Sequence, residues 1–375
     1  MARVLIISLL VVTTASVVFG RARQVQQPAP DFSDLKFFVK GRNLVWPSRD
    51  TEQTFSKNGR YDRRSIIGTR IQLFEDQVFI AFPRLKPGVP ITLGVVKHGN
   101  KNIYEAFPCW AMQEEGNCDS LQSIVDISVD DNGILWALDT GTVNTLTQPV
   151  FRCKPKVFAF DIRNKQLIKV IDLNQLIVEN SRLQDLIVDY GEDGKVYLYI
   201  SDASGRGIIV YDVVGNSGFR MSLPQAVNLA NSKKDVLQML LVRKATGPEL
   251  YFTYLGSSRV FSIRLDHLRR GAGADIIDVG SKLNSMIFLG TNGGNVIFFR
   301  YKGQPDVYLW DTNTAFGQEN FVIVQKGDDC HLPTDIAVGP QDTLWTIGSN
   351  LQDYIHDTIP SNGASMIIHP LVKNC

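Results

Sequence analysis

One pattern, repeated along the chain, limits what it can fold into. Residues 124–129 alternate side chains with the period of two that a half-buried strand requires. Asp131-Asn132-Gly133 then supplies residues that tolerate positive φ, and Ile134-Leu135-Trp136-Ala137-Leu138 returns as a second strand, so the unit reads as a β-hairpin. The same order recurs late in the chain, where Thr334 to Val338, a Gly339-Pro340-Gln341-Asp342 turn and Thr343 to Gly348 surround Trp345. Weaker copies pair 185–188 with 195–199, 236–242 with 249–253, 71–74 with 78–81, and Asp278 with 285–289.

The six copies are anchored on Phe79, Trp136, Tyr197, Tyr251, Ile287 and Trp345, at intervals of 57, 61, 54, 36 and 58 residues. Four short strands with their loops fill such an interval, and a four-stranded sheet has two apolar faces that neighbours in a ring can cover. The expected fold is therefore all-β, a six-bladed β-propeller in which each blade is a four-stranded antiparallel sheet. Two packed β-sandwiches would share the composition without needing hairpins at a near-constant spacing. With 375 residues, 44% of them hydrophobic and 21% charged, the chain has ample material for a core, and no Pro/Gly/Ser-rich linker divides it. One propeller domain over residues 35–375 follows, with a strand in 37–46 closing the ring by completing the last blade.

Charge excludes some functions. The 39 basic and 38 acidic residues are scattered, which argues against a nucleic-acid-binding surface. Arg60, Arg63, Arg64 and Arg70 form the one local cluster, read as a solvated strand edge that discourages aggregation, with an anion site as the sharper alternative. Residues 1–20 carry Arg3, an apolar run from Val4 to Val12 and small residues before Gly20, the layout of a secretory signal peptide cleaved before Arg21. A Gln- and Pro-rich tail, 21–34, follows, no second long apolar run indicates a membrane anchor, and no Asn-x-Ser/Thr site offers an N-linked glycan.

Secretion favours disulfides among Cys109, Cys118, Cys153, Cys330 and Cys375, but an odd count leaves one thiol over and allows 15 pairings. Cys375, at the terminus, is the candidate for the one left out. Metal ligation by Cys330-His331 with Asp328 and Asp329 lacks a second ligand cluster at useful spacing, so no metal or cofactor is expected.

Several collinear blocks resemble the insect Yellow and major royal jelly protein family: VDISVDDNGILWALDTGTVN, CKPKVFAFDIRNKQLIKVIDL and YLWDTNTAFGQENFVIVQKGDDCHLPTDIAVGPQDTLWTIGSNLQ. Within it, GRYDRRSIIGTRIQLFEDQVFIAFPRLKPGVPITLG, CWAMQEEGNCDSLQSIVDI and SRLQDLIVDY are most similar to the Yellow-g type, which the resemblance associates with the eggshell. The resemblance implies a six-bladed propeller, in agreement with the repeat count. Asn132 and Leu309 stand where the family commonly has Cys, so its disulfide pairing does not transfer, and the last hairpin ends Ser349-Asn350-Leu351 without the family's usual Arg.

Some family members bind biogenic amines in the propeller cavity and others are linked to dopachrome conversion. A cationic aromatic amine needs a carboxylate or carbonyl for its ammonium, an aromatic face and a polar group for its phenol. By resemblance to the family's amine-binding motif, Thr334 and Asn350 are candidates, while Asp139, Thr140 and Asn144 lie at the end of the Trp136 strand. Each also has a plain structural role open to it: Asp139-Thr140-Gly141 as a turn, Thr334 as the start of a strand. Tautomerisation calls for a general base titrating near neutrality. His98, His267, His331, His356 and His369 sit in no recognisable acid/base pair, and the hydrolase, nucleotide-binding and metalloprotease motifs are missing.

Two main functions stand. The first is a secreted, non-enzymatic protein of an eggshell or cuticle, with extracellular matrix or eggshell proteins as partners, acting in assembly, hardening or pigmentation. The second is a dopachrome-converting enzyme of melanin synthesis, with carriage of small aromatic amines as a weaker third.

Overall fold

The computed structural model describes residues 36–371 apart from 98, 100–101, 193, 228–234, 272–274 and 328–329. The expected signal peptide, the 21–34 tail, His98, Asp328, Asp329 and Cys375 lie outside the described residues. Six four-stranded antiparallel sheets make up the domain. Blade 1 is Arg70–Phe74, Gln77–Ala81, Leu93–Lys97 and Glu105–Ala106, and blade 2 is Ile124–Val129, Ile134–Asp139, Lys156–Asp161 and Gln166–Asp172. Blade 3 runs from Leu183–Tyr190 to Ser217–Ser222, blade 4 from Leu237–Lys244 to Ile277–Ser281, and blade 5 from Met286–Thr291 to Phe321–Gln325. Leu332–Val338, Leu344–Ser349 and Ser365–Pro370 form blade 6, whose outermost strand is Phe37–Lys40 from the other end of the chain.

The first strand of each blade is innermost, and these six strands neighbour one another in a closed circle, blade 6 returning to blade 1. The architecture is a six-bladed β-propeller. Its closing strand is shorter than the 37–46 span expected: Phe37 pairs with Ile368 and Lys40 with Ser365, after which Gly41–Asn43 turns as a 3₁₀ helix. Pairing the first strand with the last blade leaves no unpaired seam in the ring.

Side-chain alternation explains how one blade serves two neighbours. In the second strand of blade 2, Leu135 and Ala137 pack with Phe79, Leu93 and Phe107 of blade 1, while Trp136 and Leu138 pack with Leu198 and Ile209 of blade 3. Every position of this strand from Leu135 to Asp139 is therefore buried, and each large apolar side chain so buried contributes ~2 kcal/mol. Such strands read as nearly unbroken apolar runs rather than as alternating ones.

The fifth repeat is displaced relative to expectation. Asp278 belongs to the outer strand of blade 4, and Ile287 lies in the inner strand of blade 5, whereas the other five anchors lie in second strands. The second strand of blade 5 is Val296–Tyr301, reached through an Asn292-Gly293-Gly294-Asn295 turn. Second strands thus begin at Gln77, Ile134, Val196, Gly247, Val296 and Leu344, and the short interval disappears. Met286–Leu289 is apolar enough to pass for a second strand because the inner strand here is buried as well.

Cys118 and Cys153 form a disulfide with Cα atoms 5.4 Å apart. It fastens the segment entering blade 2 to the loop before its third strand, and closing a loop of 35 residues stabilises by about 4 kcal/mol on chain entropy. Cys153 thus pairs although the family's usual partner position is Asn132 here; Cys109 is an exposed thiol.

Candidate functional site

A cavity of ≈ 730 Å³ lies on the propeller axis, lined by the inner strands of all six blades. Its mouth is at the turns between first and second strands, where Glu75, Asp131, Gly293 and Asp342 stand, and its far end holds Arg70, Asp126, Asp185, Gln238 and Asp335. That volume is within the usual range for small-molecule sites. Phe74, Ile127, Met239, Leu241 and Phe288 supply apolar wall between charged ends.

Asp126, Asp185, Gln238 and Asp335 stand near the start of the inner strand in blades 2, 3, 4 and 6. Each reaches across a seam to accept a backbone N–H of the next blade. Asp126 takes Leu186 N–H at 2.6 Å, Asp185 takes Met239 N–H at 2.8 Å, Gln238 takes Phe288 N–H at 2.6 Å, and Asp335 takes Ile71 N–H at 2.8 Å. At the seam between blades 5 and 6 the strands approach differently: a Cβ on Gly290 would sit 2.1 Å from the Ile336 carbonyl oxygen, so only glycine fits.

Arg70 sits among these carboxylates. Its Nε lies 3.3 Å from Asp126 Oδ1, its Nη2 donates to Asp185 Oδ1 at 2.9 Å, and its Nη1 donates to the Thr334 carbonyl at 2.9 Å. The edge-strand reading of the arginine cluster therefore fails for Arg70, which is on the innermost strand; Arg60 and Arg64 do pair at the surface, with Glu114 and Asp62. Burial pushes the Asp126 carboxyl up to about 8 and that of Asp335 up to about 6, against the pull of Arg70 on both, with Asp185 adding a like charge. Arg70 itself is raised by the carboxylates despite its burial and stays charged.

The five residues singled out from sequence are placed elsewhere. Asp139 is 2% exposed and accepts N–H from Gln122 (2.6 Å), Ser123 (2.9 Å) and Gly141 (2.8 Å), the last at φ 67°. Burial raises this carboxyl too, opposed by those three donors and by Arg84. Thr140 donates to the Thr142 carbonyl at 3.3 Å, and Asn144, with φ 59°, donates its backbone N–H to the Arg84 carbonyl. Thr334 meets the axial group through its carbonyl alone, while Asn350 accepts Ser365 N–H at 2.9 Å and lines a separate pocket of ≈ 340 Å³ with His331, Ser349 and Asp353. Of the five, none lines the axial cavity.

Sequence reasoning placed Arg70 in a solvated cluster and passed over Asp126, Asp185, Gln238 and Asp335. A signal was present: Asp126-Ile127-Ser128-Val129, Asp185-Leu186-Ile187-Val188 and Asp335-Ile336-Ala337-Val338 put an acid at the same place in three otherwise apolar strands. Histidine offers less. His267 pairs with Asp275 at 2.9 Å, an acid/base pair that sequence did not reveal, but it lies in a short helix of blade 4 and lines neither cavity.

Comparison with known proteins gives these features a setting. The family model for the major royal jelly protein matches residues 122–369. Major royal jelly protein 7 of Apis mellifera is 31% identical over 307 residues, covering 75% of this chain and 68% of that one. Major royal jelly protein 1 of Apis mellifera is 23% identical, covering 84% and 77%, and Protein yellow of Drosophila pseudoobscura pseudoobscura is 24% identical, covering 93% and 67%. Among solved structures, the α-L-arabinanase of Penicillium chrysogenum complexed with arabinobiose superposes with a TM-score of 0.51 at 11% identity, covering 83% of this chain and 95% of that one, a likeness of fold alone.

Proposed function

Because the chain belongs to the major royal jelly protein and Yellow family, we propose that it is a secreted Yellow-type protein of an insect extracellular covering, acting without catalysis in the assembly, hardening or pigmentation of eggshell or cuticle. The Yellow-g blocks of the sequence favour the eggshell. Secretion is supported by the signal-peptide pattern, and among the described residues no helix is long and apolar enough to cross a membrane.

The observation that carries the non-enzymatic reading is the commitment of the buried carboxylates. Both oxygens of Asp126 are engaged, one by Ile127 N–H and Arg70 and the other by Leu186 N–H, and Asp185 is held likewise by Arg70 and Met239 N–H. A general base must be free to take a proton from a substrate within hydrogen-bond reach. These groups are holding blades together instead. The test has two parts. Antibody staining of ovary and integument is expected to place the protein in the covering layer, and the purified chain is expected to leave the decay of dopachrome absorbance unchanged. Acceleration that Asp185→Asn abolishes with the fold intact would overturn the reading.

A second reading, carriage of a small aromatic amine, is favoured by the axial cavity itself, which sets Phe74 and Phe288 between acidic groups. Titration calorimetry with serotonin and dopamine decides it, since no heat at millimolar ligand removes the carrier role.

A further inference from the structure

Three carboxylates and one guanidinium meet at the far end of the axial cavity. All three acids are less than a tenth exposed, and Arg70 keeps 26% of its side-chain surface accessible. Fully ionised, the group would carry an excess of two negative charges in a poorly solvated place, which is costly unless a proton is retained. Backbone N–H groups of Ile127, Leu186, Met239 and Ile71 donate to these carboxylates, but among the described residues lining the cavity no second cation stands at this end. Blade 4 contributes neutral Gln238, blade 5 lines the cavity with Phe288, Leu289, Gly290, Thr291 and Gly293, and the remaining charged groups, Glu75, Asp130, Asp131, Asp342 and Arg243, belong to the turns or strand ends at the mouth.

These groups are also the inter-blade fastenings. Through Arg70, blade 1 is tied to blades 2, 3 and 6, and through the carboxylates each of those blades is tied to the next. We propose that Arg70, Asp126, Asp185 and Asp335 form a proton-operated latch on the propeller axis. With a proton retained on one carboxyl, whose carbonyl oxygen still accepts the inter-blade N–H, the inner strands are drawn together at the end of the cavity. Its loss leaves like charges facing one another and loosens them.

The sign follows from linkage. Carboxyls whose folded affinity for protons exceeds the unfolded one stabilise the fold in acid, and that stability is lost as pH rises through their folded values, here first for Asp335 and then for Asp126. Melting of the full chain between about pH 5 and about pH 9 at constant ionic strength is expected to show a midpoint falling by a few degrees, roughly, toward the alkaline end. Asp126→Asn, which keeps an acceptor for Leu186 N–H, is expected to flatten the upper part of that fall and Asp335→Asn the lower part. Hydrogen exchange, corrected for intrinsic rates, adds a local readout: Leu186, Met239 and Ile71 N–H lose protection at alkaline pH in the wild type and retain it in Asp126→Asn. Superimposable pH profiles for wild type and both variants would overturn the proposal. So would loss of protection spread equally over all six blades, which would make the effect a property of the whole fold. If Asp126→Asn does not fold, Asp335→Asn alone decides between the same outcomes.

Discussion

Arg70 and Arg84 lie fourteen positions apart, one on the inner strand of blade 1 and the other in the loop between its second and third strands, and they solve the problem of a charge carried into the fold in opposite ways. Arg84, 2% exposed, donates all five of its guanidinium N–H groups to backbone carbonyls: Val89, Pro90, Gln113, Leu121 and Gln122, at 2.6–3.1 Å. Burial pulls it down to about 10, with Glu115 and Asp139 opposing. Arg70 faces carboxylates instead, beside a cavity. The first arrangement holds loops by hydrogen bonds that do not titrate near neutrality. The second is a balance of charges that protons can shift. An arginine drawn into the fold is thus not one kind of element: its partners decide whether it is a rivet or a switch.

Breaking the Arg84 centre should have the largest effect. Arg84→Met leaves five carbonyls without their donor, at about 1 kcal/mol each, so urea unfolding is expected to show a loss on the order of 5 kcal/mol, the same at pH 6 and pH 8. Arg70→Met should cost less, about 3 kcal/mol, because the cavity lets water reach the carboxylates it leaves behind, and that loss should grow with pH. Asp139→Ala removes the acceptor of three N–H groups beside Arg84 and is expected to cost about 2 kcal/mol, read as faster hydrogen exchange at Gln122, Ser123 and Gly141. Asp126→Asn should be the mildest, about 1 kcal/mol at neutral pH, since removing a buried negative charge offsets part of what is lost when the amide NH2 replaces the oxygen that accepts from Ile127 N–H and Arg70. Equal pH dependence of Arg84→Met and Arg70→Met would erase the distinction between the two centres.

Much of the fold was legible in the chain because a propeller is written as a repeat. The hairpins around Trp136 and Trp345 combine period-two strands with glycine-bearing turns, and local physics alone makes them hairpins. The fifth blade was misplaced because its inner strand, Met286–Thr291, is as apolar as a second strand, and burial on both faces erases the period that tells them apart. The candidate site was less legible. Asp139 ends a strand just before a turn that advertises itself, and there it holds three N–H groups of its own blade; Asn350 reaches only a side pocket.

The sequence by itself determined the strands, their turns, the count of repeats and hence the class of fold, because these rest on interactions between residues near one another in the chain. Tertiary structure alone decided that Arg70, Asp126, Asp185 and Asp335, spread over 265 residues, would meet at one point. Closing a ring brings equivalent positions of distant repeats to a common axis, and no local pattern states which charges will then face each other or where their protons will reside.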